Sequence, residues 1–589
     1  MRKVTYLRKL AEWRRRGNNN YYLLLISSVI VGFLTGIAAV ILKNSVHYVH
    51  QLIRGKAGAD EHLWMYFFFP VLGLVLTYIY LRVTKLEIKP GVPNLLYSIS
   101  KNSGYLKPHN TYSSIIGAIL TVGFGAPTGL ESPNITTGGA IGSEVARFFK
   151  LPYRQRILLL GIASAGTIAA IFRTPLTGIA FALEVIMIDL TSVSVIPIVL
   201  ASITASLTSY LFWGTNHLYQ LQVLPTFNME HVPFYILMGL FTGLFALMFS
   251  NSYLWIRRKY EGSRHKFGVV LATAVAIGLL VFSFPAMFGE GYIALNDAIR
   301  GNFEYLTKND LFIDFSSSEL LFLFGFLFIA IAKALATNLT VAVGGIGGFF
   351  TPILFAGANI GLFMSHLAKY LGFNINHENS SLVAMAGLIS GMLHAPLTAV
   401  FFIAELTGGF SLLVPLLITS AVAYVFIRIF QDKNFLAVDL AQKKILLTHH
   451  ADHNVLTILS ISDLIETNFT TVHPDDSLGD LVEAVKNSTR DLFPVVDEDN
   501  NFLGIVSLHR IRKIMFKPEL YDKIKVADLM IFPSVFADVS EHLEDIAEKI
   551  QETKVYNLLV LDKGKYVGFI SRSNFFLRYR ELLREFSAD

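Results

Sequence analysis

A carboxylate stands near the start of a predicted helix in an apolar segment that occurs twice in the chain. Residues 129–142 read GLESPNITTGGAIG, and residues 348–361 read GFFTPILFAGANIG. Their glycines and prolines predict short helices that begin inside the apolar region. A helix N-terminus carries unpaired N–H groups and about half a positive charge, so it can bind an anion without Lys or Arg. Glu131 places a carboxylate, itself an anion, at one of these helix ends.

A second pair of similar segments lies downstream at nearly the same separation. Residues 171–184 read IFRTPLTGIAFALE, and residues 392–405 read MLHAPLTAVFFIAE, so the copies end on Glu184 and Glu405. The two pairs indicate an internal duplication of a membrane unit, with halves at about 20–215 and 232–440. Paired broken helices in two halves of a membrane protein point to a transport site where the halves meet.

Composition places the chain among polytopic α-helical membrane proteins. It is 53% hydrophobic and only 16% charged, with a net charge of +5. The apolar stretches run from about residue 21 to 430, and several reach membrane-spanning length. Others are short and broken by Gly or Pro, which a bilayer tolerates only where backbone is buried in protein or lines a wet cavity. The sequence therefore predicts an aqueous pathway through a membrane domain at 20–445.

The charged ends of the chain exclude several classes of protein. Residues 1–19 are basic and precede a long apolar run, which predicts a cytoplasmic N-terminus rather than a signal peptide or a nucleic-acid-binding arm. The absence of Cys excludes disulfides and thiolate metal sites. No HExxH motif is present, and no pair of nucleophile and base is indicated. We expect no enzymatic activity, no metal site, no required cofactor and no nucleic-acid partner.

The polar tail, residues 446–589, repeats itself with copies at about 457–520 and 522–589. LGIVS at 503–507 corresponds to VGFIS at 567–571, and each unit predicts helix, strand, turn, strand and helix. This α/β pattern resembles a tandem pair of CBS domains. The family's ribose-binding pattern, Gly-x-x-Ser/Thr-x-x-Asp, falls on Ser507 and Arg510 in one copy and on Ser571 and Asn574 in the other. Arginine has no acceptor, so we expect no tight adenine-nucleotide binding; a phosphate contact by Arg510 and a ligand-free structural or dimerising module remain the alternatives.

Nearly the whole chain resembles one family, the CLC chloride channels and chloride/proton antiporters. GLESP at 129–133 resembles the family's Gly-Lys/Arg-Glu-Gly-Pro, and GGFFTP at 347–352 resembles its Gly-x-Phe-x-Pro. KPGVP at 89–93 resembles Gly-Ser-Gly-Ile-Pro, and 173–185 resembles the segment that carries the inner proton acceptor. The resemblance implies an inverted repeat, a homodimer with one pore per subunit, and chloride as the bound and transported ion. It also implies a multi-pass cell (inner) membrane location, a cytoplasmic CBS tail and the family's voltage gating.

The resemblance also implies roles for individual residues. Glu131 becomes the gate, whose carboxylate competes with the anion and leaves when it is protonated. In a soluble protein the same glutamate would be an ordinary helix cap, but an ionisable group inside a membrane is a functional candidate by default. The anion-binding residues implied by the motifs are Pro90, Gly91, Val92, Gly129, Leu130, Phe349, Phe350 and Leu436.

Three departures from the family pattern bear on the mechanism. The family's central Ser is Pro90, and a similar exchange marks plant members that prefer nitrate, so nitrate is a candidate permeant ion. Glu131, Glu184 and Val185 occupy the proton-path positions, and the valine at the usual place of the inner proton acceptor cannot carry a proton. The family's central Tyr falls at Leu436, which has no hydroxyl.

Two of these departures, Val185 and Leu436, favour a passive, Glu131-gated chloride channel over proton-coupled exchange. The alternative is a chloride/proton antiporter whose proton route needs no Glu at position 185. A CBS-regulated cation transporter is more distant, because it would need clustered intramembrane carboxylates. We expect His394, in the second copy of the proton segment, to be a packed histidine rather than a proton relay.

Overall fold

The computed structural model describes most of the chain in two compact units, Met1–Leu446 and Leu447–Asp589. The described residues are 19–57, 63–88, 91–102, 104–186, 192–214, 228–262, 266–307, 315, 317–438, 461–541, 543–553 and 555–587. The basic segment at 1–18, Pro90 and the junction at 439–460 lie outside them.

The first unit is built from α-helices of very different length. They are α1 (Asn19–Ala57), α2 (Met65–Thr84), α3 (Gly91–Lys101), α4 (Asn110–Ala118), α5 (Glu131–Phe148), α6 (Tyr153–Phe172), α7 (Pro175–Glu184), α8 (Ser192–Trp213), α9 (Val232–Tyr260), α10 (Phe267–Ser283), α11 (Tyr292–Ile299), α12 (Glu304–Thr307), α13 (Glu319–Ala342), α14 (Phe350–Tyr370), α15 (His377–Leu393), α16 (Pro396–Leu406) and α17 (Leu413–Phe430). Among the described residues, eight helices are long and apolar enough to cross a membrane. The predicted short helices are present between them, so the first unit is the polytopic helical membrane domain that the sequence predicts.

The duplication in the sequence is also present in the packing. In the first half, α1 packs on α6 and α8, and α6 packs on α5; in the second half, α9 packs on α15 and α17, and α15 packs on α14. The glycines that recur in the repeated segment lie at these contacts. A Cβ on Gly142 would lie 3.1 Å from the carbonyl oxygen of Leu159, and one on Gly361 would lie 2.4 Å from that of Ser380. The repeated glycines therefore let the neighbouring helices approach closely.

Both halves break a helix in the same way. Arg173 ends α6 with φ of 61°, and His394 ends α15 with φ of 56°. In each half the next residue has a non-helical backbone, and a proline then opens α7 or α16. Proline suits a first helical position because its missing N–H has no intrahelical partner there. The duplicated Pro-Leu-Thr sequences therefore encode two matched helix starts.

The second unit is a small α/β module that contains both sequence copies. Its elements are β1 (Ile465–Glu466), α18 (Leu478–Asn487), β2 (Leu492–Val496), β3 (Phe502–Ser507), α19 (Leu508–Ile511), α20 (Val526–Leu529), β4 (Phe536–Asp538), α21 (Leu543–Thr553), β5 (Asn557–Asp562), β6 (Lys565–Ser571) and α22 (Arg572–Ser587). One sheet has the order β1-β6-β5-β4, and the other pairs β2 with β3. This is the predicted helix, strand, turn, strand and helix, with added β-pairing before each first helix. In the second copy β4 pairs in parallel with β5, and in the first copy Val472 forms an isolated parallel bridge with Val495.

The two copies pack together as one module. The first-copy strand β1 pairs with the second-copy strand β6, with Ile465 opposite Ile570. Phe469 of the first copy also packs against Phe569 of the second, with ring centroids 4.6 Å apart. Arg490 binds Glu466 at 2.7 Å beside this contact. Apolar residues from both copies thus share one core, as the repeat predicts.

Candidate functional site

The two repeated segments meet at a pair of glycines. The N–H of Gly129 donates to the carbonyl of Gly348 at 2.9 Å, and the N–H of Gly348 donates to the carbonyl of Gly129 at 2.8 Å. This reciprocal, antiparallel bridge places the starts of α5 and α14 next to each other. Two helix N-termini from different halves therefore converge on one point, and both direct N–H groups toward it.

The carboxylate of Glu131 lies on the N-terminus of the opposite helix. Its Oε1 accepts a hydrogen bond from the N–H of Phe350 at 2.6 Å, and the side chain is 4% exposed. Glu131 and Phe350 occupy equivalent positions of the two repeats. One repeat thus supplies the anion and the other supplies the N–H that binds it. The Oε2 atom is buried and has no hydrogen-bond partner among the described residues.

Space around this carboxylate exists because both bridging residues are glycines. A Cβ on Gly129 would lie 2.1 Å from Glu131 Oε2, and one on Gly348 would lie 1.9 Å from Glu131 Oε1. Both separations are far shorter than van der Waals contact. Any side chain at either position would therefore displace the carboxylate from the helix start.

A third helix, α3, begins at the same place. The N–H of Gly91 donates to the hydroxyl of Ser132 at 2.8 Å, so the start of α3 is joined to that of α5. Val92 and Leu130 are buried beside these ends, whereas Pro90 lies outside the described residues. Ser132 was not among the predicted site residues, although it stands in GLESP where the family pattern has Gly. The sequence signal that could have identified Ser132 was its hydroxyl at the start of a predicted helix.

The rings of Phe349 and Phe350 point to different neighbours. The Phe350 ring packs on Phe172 and Phe402, at centroid distances of 4.9 and 5.0 Å. The Phe349 ring packs on Tyr253 at 4.7 Å and on Phe435 at 5.0 Å.

The segment after α17 supplies the second of these rings. Phe435 is 1% exposed, whereas its neighbour Leu436, the residue aligned with the family's central Tyr, is half-buried. The residue of this segment that contacts the Phe349 ring is Phe435, which directly precedes Leu436.

The glutamates that end the second repeated segment cap each other's helices. Glu184, at the end of α7, accepts from the N–H groups of Leu397 and Thr398 and from the Thr398 hydroxyl, at 2.9, 2.7 and 2.7 Å. Glu405, near the end of α16, accepts from the N–H groups of Leu176 and Thr177 and from the Thr177 hydroxyl, at 2.8, 2.8 and 2.7 Å. The contacts are equivalent, so the two carboxylates have the same surroundings.

The other residues of the predicted proton segment are packed. Val185 follows α7 and is fully buried. His394 packs edge-on against Tyr424, with ring centroids 6.0 Å apart, as expected for a packed histidine. Glu144 pairs with Arg147 one turn along α5, at 3.2 Å, and does not reach Glu131. Among the described residues, no three His, Asp or Glu side chains lie close enough to hold a metal ion.

The predicted ligand positions of the tail module are partly used by the fold. The Ser571 hydroxyl accepts from the N–H of Asn574 at 3.1 Å, so it caps the start of α22. Ser507 stands at the matching end of β3, where its side chain makes no such cap. Arg510 is exposed on α19. The second copy therefore uses its serine to cap a helix, whereas the serine of the first copy makes no such cap.

Two helix starts that converge across a duplicated membrane domain, with a carboxylate between them, define a membrane transporter built around an anion site. Comparison with known proteins gives the family. The family model for "Voltage gated chloride channel" matches residues 72–428, more than half of the chain, and the CBS domain model matches 461–517 and 526–581. The chain therefore belongs to the voltage-gated chloride channel (CLC) family and carries a pair of CBS domains.

Individual relatives have low sequence identity to this chain but match it over most of its length. The H(+)/Cl(-) exchange transporter ClcA of Klebsiella pneumoniae is 24% identical over 67% of this chain and 83% of its own length. Chloride channel protein CLC-f of Arabidopsis thaliana is 22% identical over 83% of this chain and 69% of its own. A crystal structure of a eukaryotic CLC transporter covers 94% of this chain and 98% of its own, with a TM-score of 0.59 at 18% identity. The likeness to the solved structure confirms the fold.

Proposed function

We propose that the membrane unit conducts chloride passively and that Glu131 is its gate. The observation that carries this proposal is the bond between Glu131 Oε1 and the N–H of Phe350, at 2.6 Å in a buried place. A carboxylate there occupies the position that a helix N-terminus offers to an anion. Protonation removes the charge that holds it, so the side chain leaves and chloride takes the N–H groups.

Passive conduction is supported by the surroundings of the proton-path residues. Val185 is buried and has no group that binds a proton. Glu184 accepts three hydrogen bonds at the start of α16, and its repeat mate Glu405 is bound in the same way. A carboxylate held by several hydrogen bonds as a helix cap is fixed in position, which opposes a role as a mobile proton carrier.

Chloride/proton exchange is the second candidate. It is favoured by relatives such as ClcA, which are named exchange transporters. Exchange would use the same Glu131, because a carboxylate that swaps places with chloride can carry a proton when it leaves. It would need a proton route that does not involve position 185. A cation transporter has no observation in its favour among the described residues.

Other features of the proposal come from the resemblance and await tests. They are a homodimer in the lipid bilayer of the cell membrane, a cytoplasmic N-terminus and CBS tail, and permeation of nitrate at a site with Pro90 in place of serine. We further propose that the tail module does not bind adenine nucleotide tightly, because Ser571 caps a helix and Arg510 offers no acceptor.

Simultaneous recording of anion efflux and proton movement from liposomes separates the two candidates. The full-length protein is reconstituted and a chloride gradient is imposed. Passive conduction predicts efflux without uphill proton movement, and Glu131→Gln should make that efflux independent of pH. Uphill proton movement that stops in Glu131→Gln would instead establish an exchanger. A pH response that survives in Glu131→Gln would overturn the role of Glu131 in either mechanism.

A further inference from the structure

Three charged side chains are buried next to the gate and take no part in the mechanism described so far. Glu290 is 8% exposed and stands just before α11, Lys43 is 6% exposed on α1, and Lys333 on α13 is fully buried. Ionisable groups are rare in a membrane domain, where they are costly and pair with one another. Nothing in the repeated segments pointed to these three residues, because each occurs once.

Glu290 contacts both sides of the gate. It lies beside the backbone N–H of Leu130, the residue before Glu131, and beside the Tyr292 hydroxyl. The Thr351 hydroxyl, in the residue after Phe350, lies 3.5 Å from its Oε1. The carboxyl group therefore lies next to both the start of α5 and the start of α14, the two helix ends between which the Glu131 carboxylate is held.

The two lysines flank Glu290 from opposite helices. Lys333 donates to the carbonyls of Met287 and Gly289 at 2.9 and 2.8 Å, and Lys43 donates to the carbonyl of Ile171 at 3.0 Å. Both attract the Glu290 carboxylate. These carbonyls fix the ammonium groups in place, so their charges are held at the gate rather than turned to solvent.

Glu290 connects the gate to the two lysines. Glu290 and Glu131 are near enough to repel each other, and Lys43 and Lys333 attract Glu290. The other titratable groups that face the cluster come from three neighbouring positions: Arg173 beside Lys43, His50 against Phe288, and the Tyr292 hydroxyl. In a medium of low dielectric constant, a change of one unit charge here alters the proton affinity of its neighbours.

We propose that Glu290, held between Lys43 and Lys333, is a positioning residue that sets the pH at which Glu131 releases the anion pathway. The inference rests on the proposed function, in which protonation of Glu131 opens the pathway. Loss of the Glu290 charge leaves two lysines uncompensated, which favours the charged form of Glu131. Loss of a lysine charge leaves Glu290 uncompensated, which favours the protonated form.

The test measures chloride efflux from liposomes as a function of pH and compares the midpoints of the curves. Glu290→Gln should move the midpoint to lower pH, and Lys333→Met should move it to higher pH, each by about one pH unit, as expected for one unit charge at an effective dielectric constant of about 20. The double variant restores the charge balance and should return the midpoint close to that of the wild type. Glu144→Gln, which removes a carboxylate away from the gate, is the matched control and should shift nothing.

Each outcome separates this inference from the proposed function. Shifts of both single variants in the same direction, or no shift in either, overturn the role of Glu290. If Glu131→Gln abolishes the pH response while Glu290→Gln leaves the midpoint unchanged, the inference alone is wrong. If the pH response persists in Glu131→Gln, the proposed function fails first. Should Lys333→Met not fold, Lys43→Met carries the same predicted shift to higher pH and decides the question.

Discussion

The two places where the repeats meet differ in one respect. At the ends of α7 and α16 both repeats carry a glutamate, and Glu184 and Glu405 cap each other's helix with matching bonds. At the starts of α5 and α14 the backbone bridge is equally symmetric, but one repeat has Glu131 where the other has Phe350. The backbone has two-fold symmetry at both contacts. The side chains share that symmetry at the ends of α7 and α16 but not at the starts of α5 and α14.

This difference separates scaffold from function. A symmetric pair of caps satisfies four helix N–H groups and requires no further explanation. An asymmetric pair leaves one helix start that offers N–H groups and one carboxylate that can occupy or vacate them. The asymmetric contact offers an N–H group that a second anion could take, which supports our proposal that Glu131 is the gate and that the symmetric caps stabilise the fold.

The largest effect on transport should come from removal of the Glu131 carboxylate, which makes the contact between α5 and α14 asymmetric. Glu131→Ala leaves both helix starts without a carboxylate, so chloride efflux should become independent of pH, whereas a single titrating gate changes efflux by up to about tenfold per pH unit. Efflux from liposomes at several pH values measures this. Phe350→Leu, which keeps the N–H that binds Glu131, is the control and should retain the pH response. A pH response in Glu131→Ala would place the gate elsewhere.

Removal of one symmetric cap should destabilise the protein without abolishing transport. Glu184→Gln and Glu405→Gln each lose charge-assisted bonds worth about 1–3 kcal/mol. Both variants should therefore lower the temperature of half-unfolding in detergent by similar amounts at a fixed heating rate. Efflux per folded protein should stay near that of the wild type. If Glu184→Gln alone stops efflux or proton movement, the two caps are not equivalent and Glu184 has a transport role.

A smaller effect is expected at the third helix start. The Ser132 hydroxyl accepts from the N–H of Gly91, so its own hydrogen is directed elsewhere and can bind an anion at the gate. Ser132→Ala should reduce the ratio of chloride to nitrate efflux by about two- to tenfold, the size of one hydrogen bond. Thr136→Ala, one turn further along α5, is the matched control. An unchanged ratio in Ser132→Ala would exclude the hydroxyl from ion selection.

The features that could be predicted from the sequence were those that the internal duplication repeats. The duplicated Gly and Pro positions located the helix starts, and Glu131 and Phe350 were singled out before the structure placed them in contact. The reciprocal caps were less visible, because Glu184 and Glu405 had to be matched across 213 to 229 residues. A periodic pattern of apolar residues predicts a helix, but it does not predict which distant N–H group a side chain of that helix binds.

Residues outside the repeated segments could not be predicted from the duplication. Lys43, Glu290 and Lys333 come from three separate parts of the chain, and no local pattern marks them as neighbours. Phe435 was not among the predicted site residues, because the segment after α17 has no repeat to mark it. The short strands before α18 and α21 were also missed, since a two- or three-residue strand has too few residues to show alternation.

The smallest effect concerns the two copies of the tail module, which also differ in one helix start. In the first copy, Asp480 accepts from the N–H and the hydroxyl of Ser477, which completes a capping box at α18. The second copy has His542 in place of Ser477. The Ser477 hydrogen bonds lower the pKa of Asp480. A carboxyl whose pKa is lowered on folding contributes stability above its unfolded pKa, and that stability is lost as the pH falls through the folded value.

Below about pH 4, where an unfolded Asp takes up its proton, α18 should therefore lose protection from hydrogen exchange, while α21 should not. Hydrogen exchange of the full-length protein at pH 6 and pH 3, corrected for the intrinsic rates, measures the two helices side by side. Asp480→Asn should show the low-pH exchange of α18 already at pH 6, and the exposed Asp499→Asn should not. Equal loss of protection in both helices on acidification would mean that the capping box makes no difference between the copies.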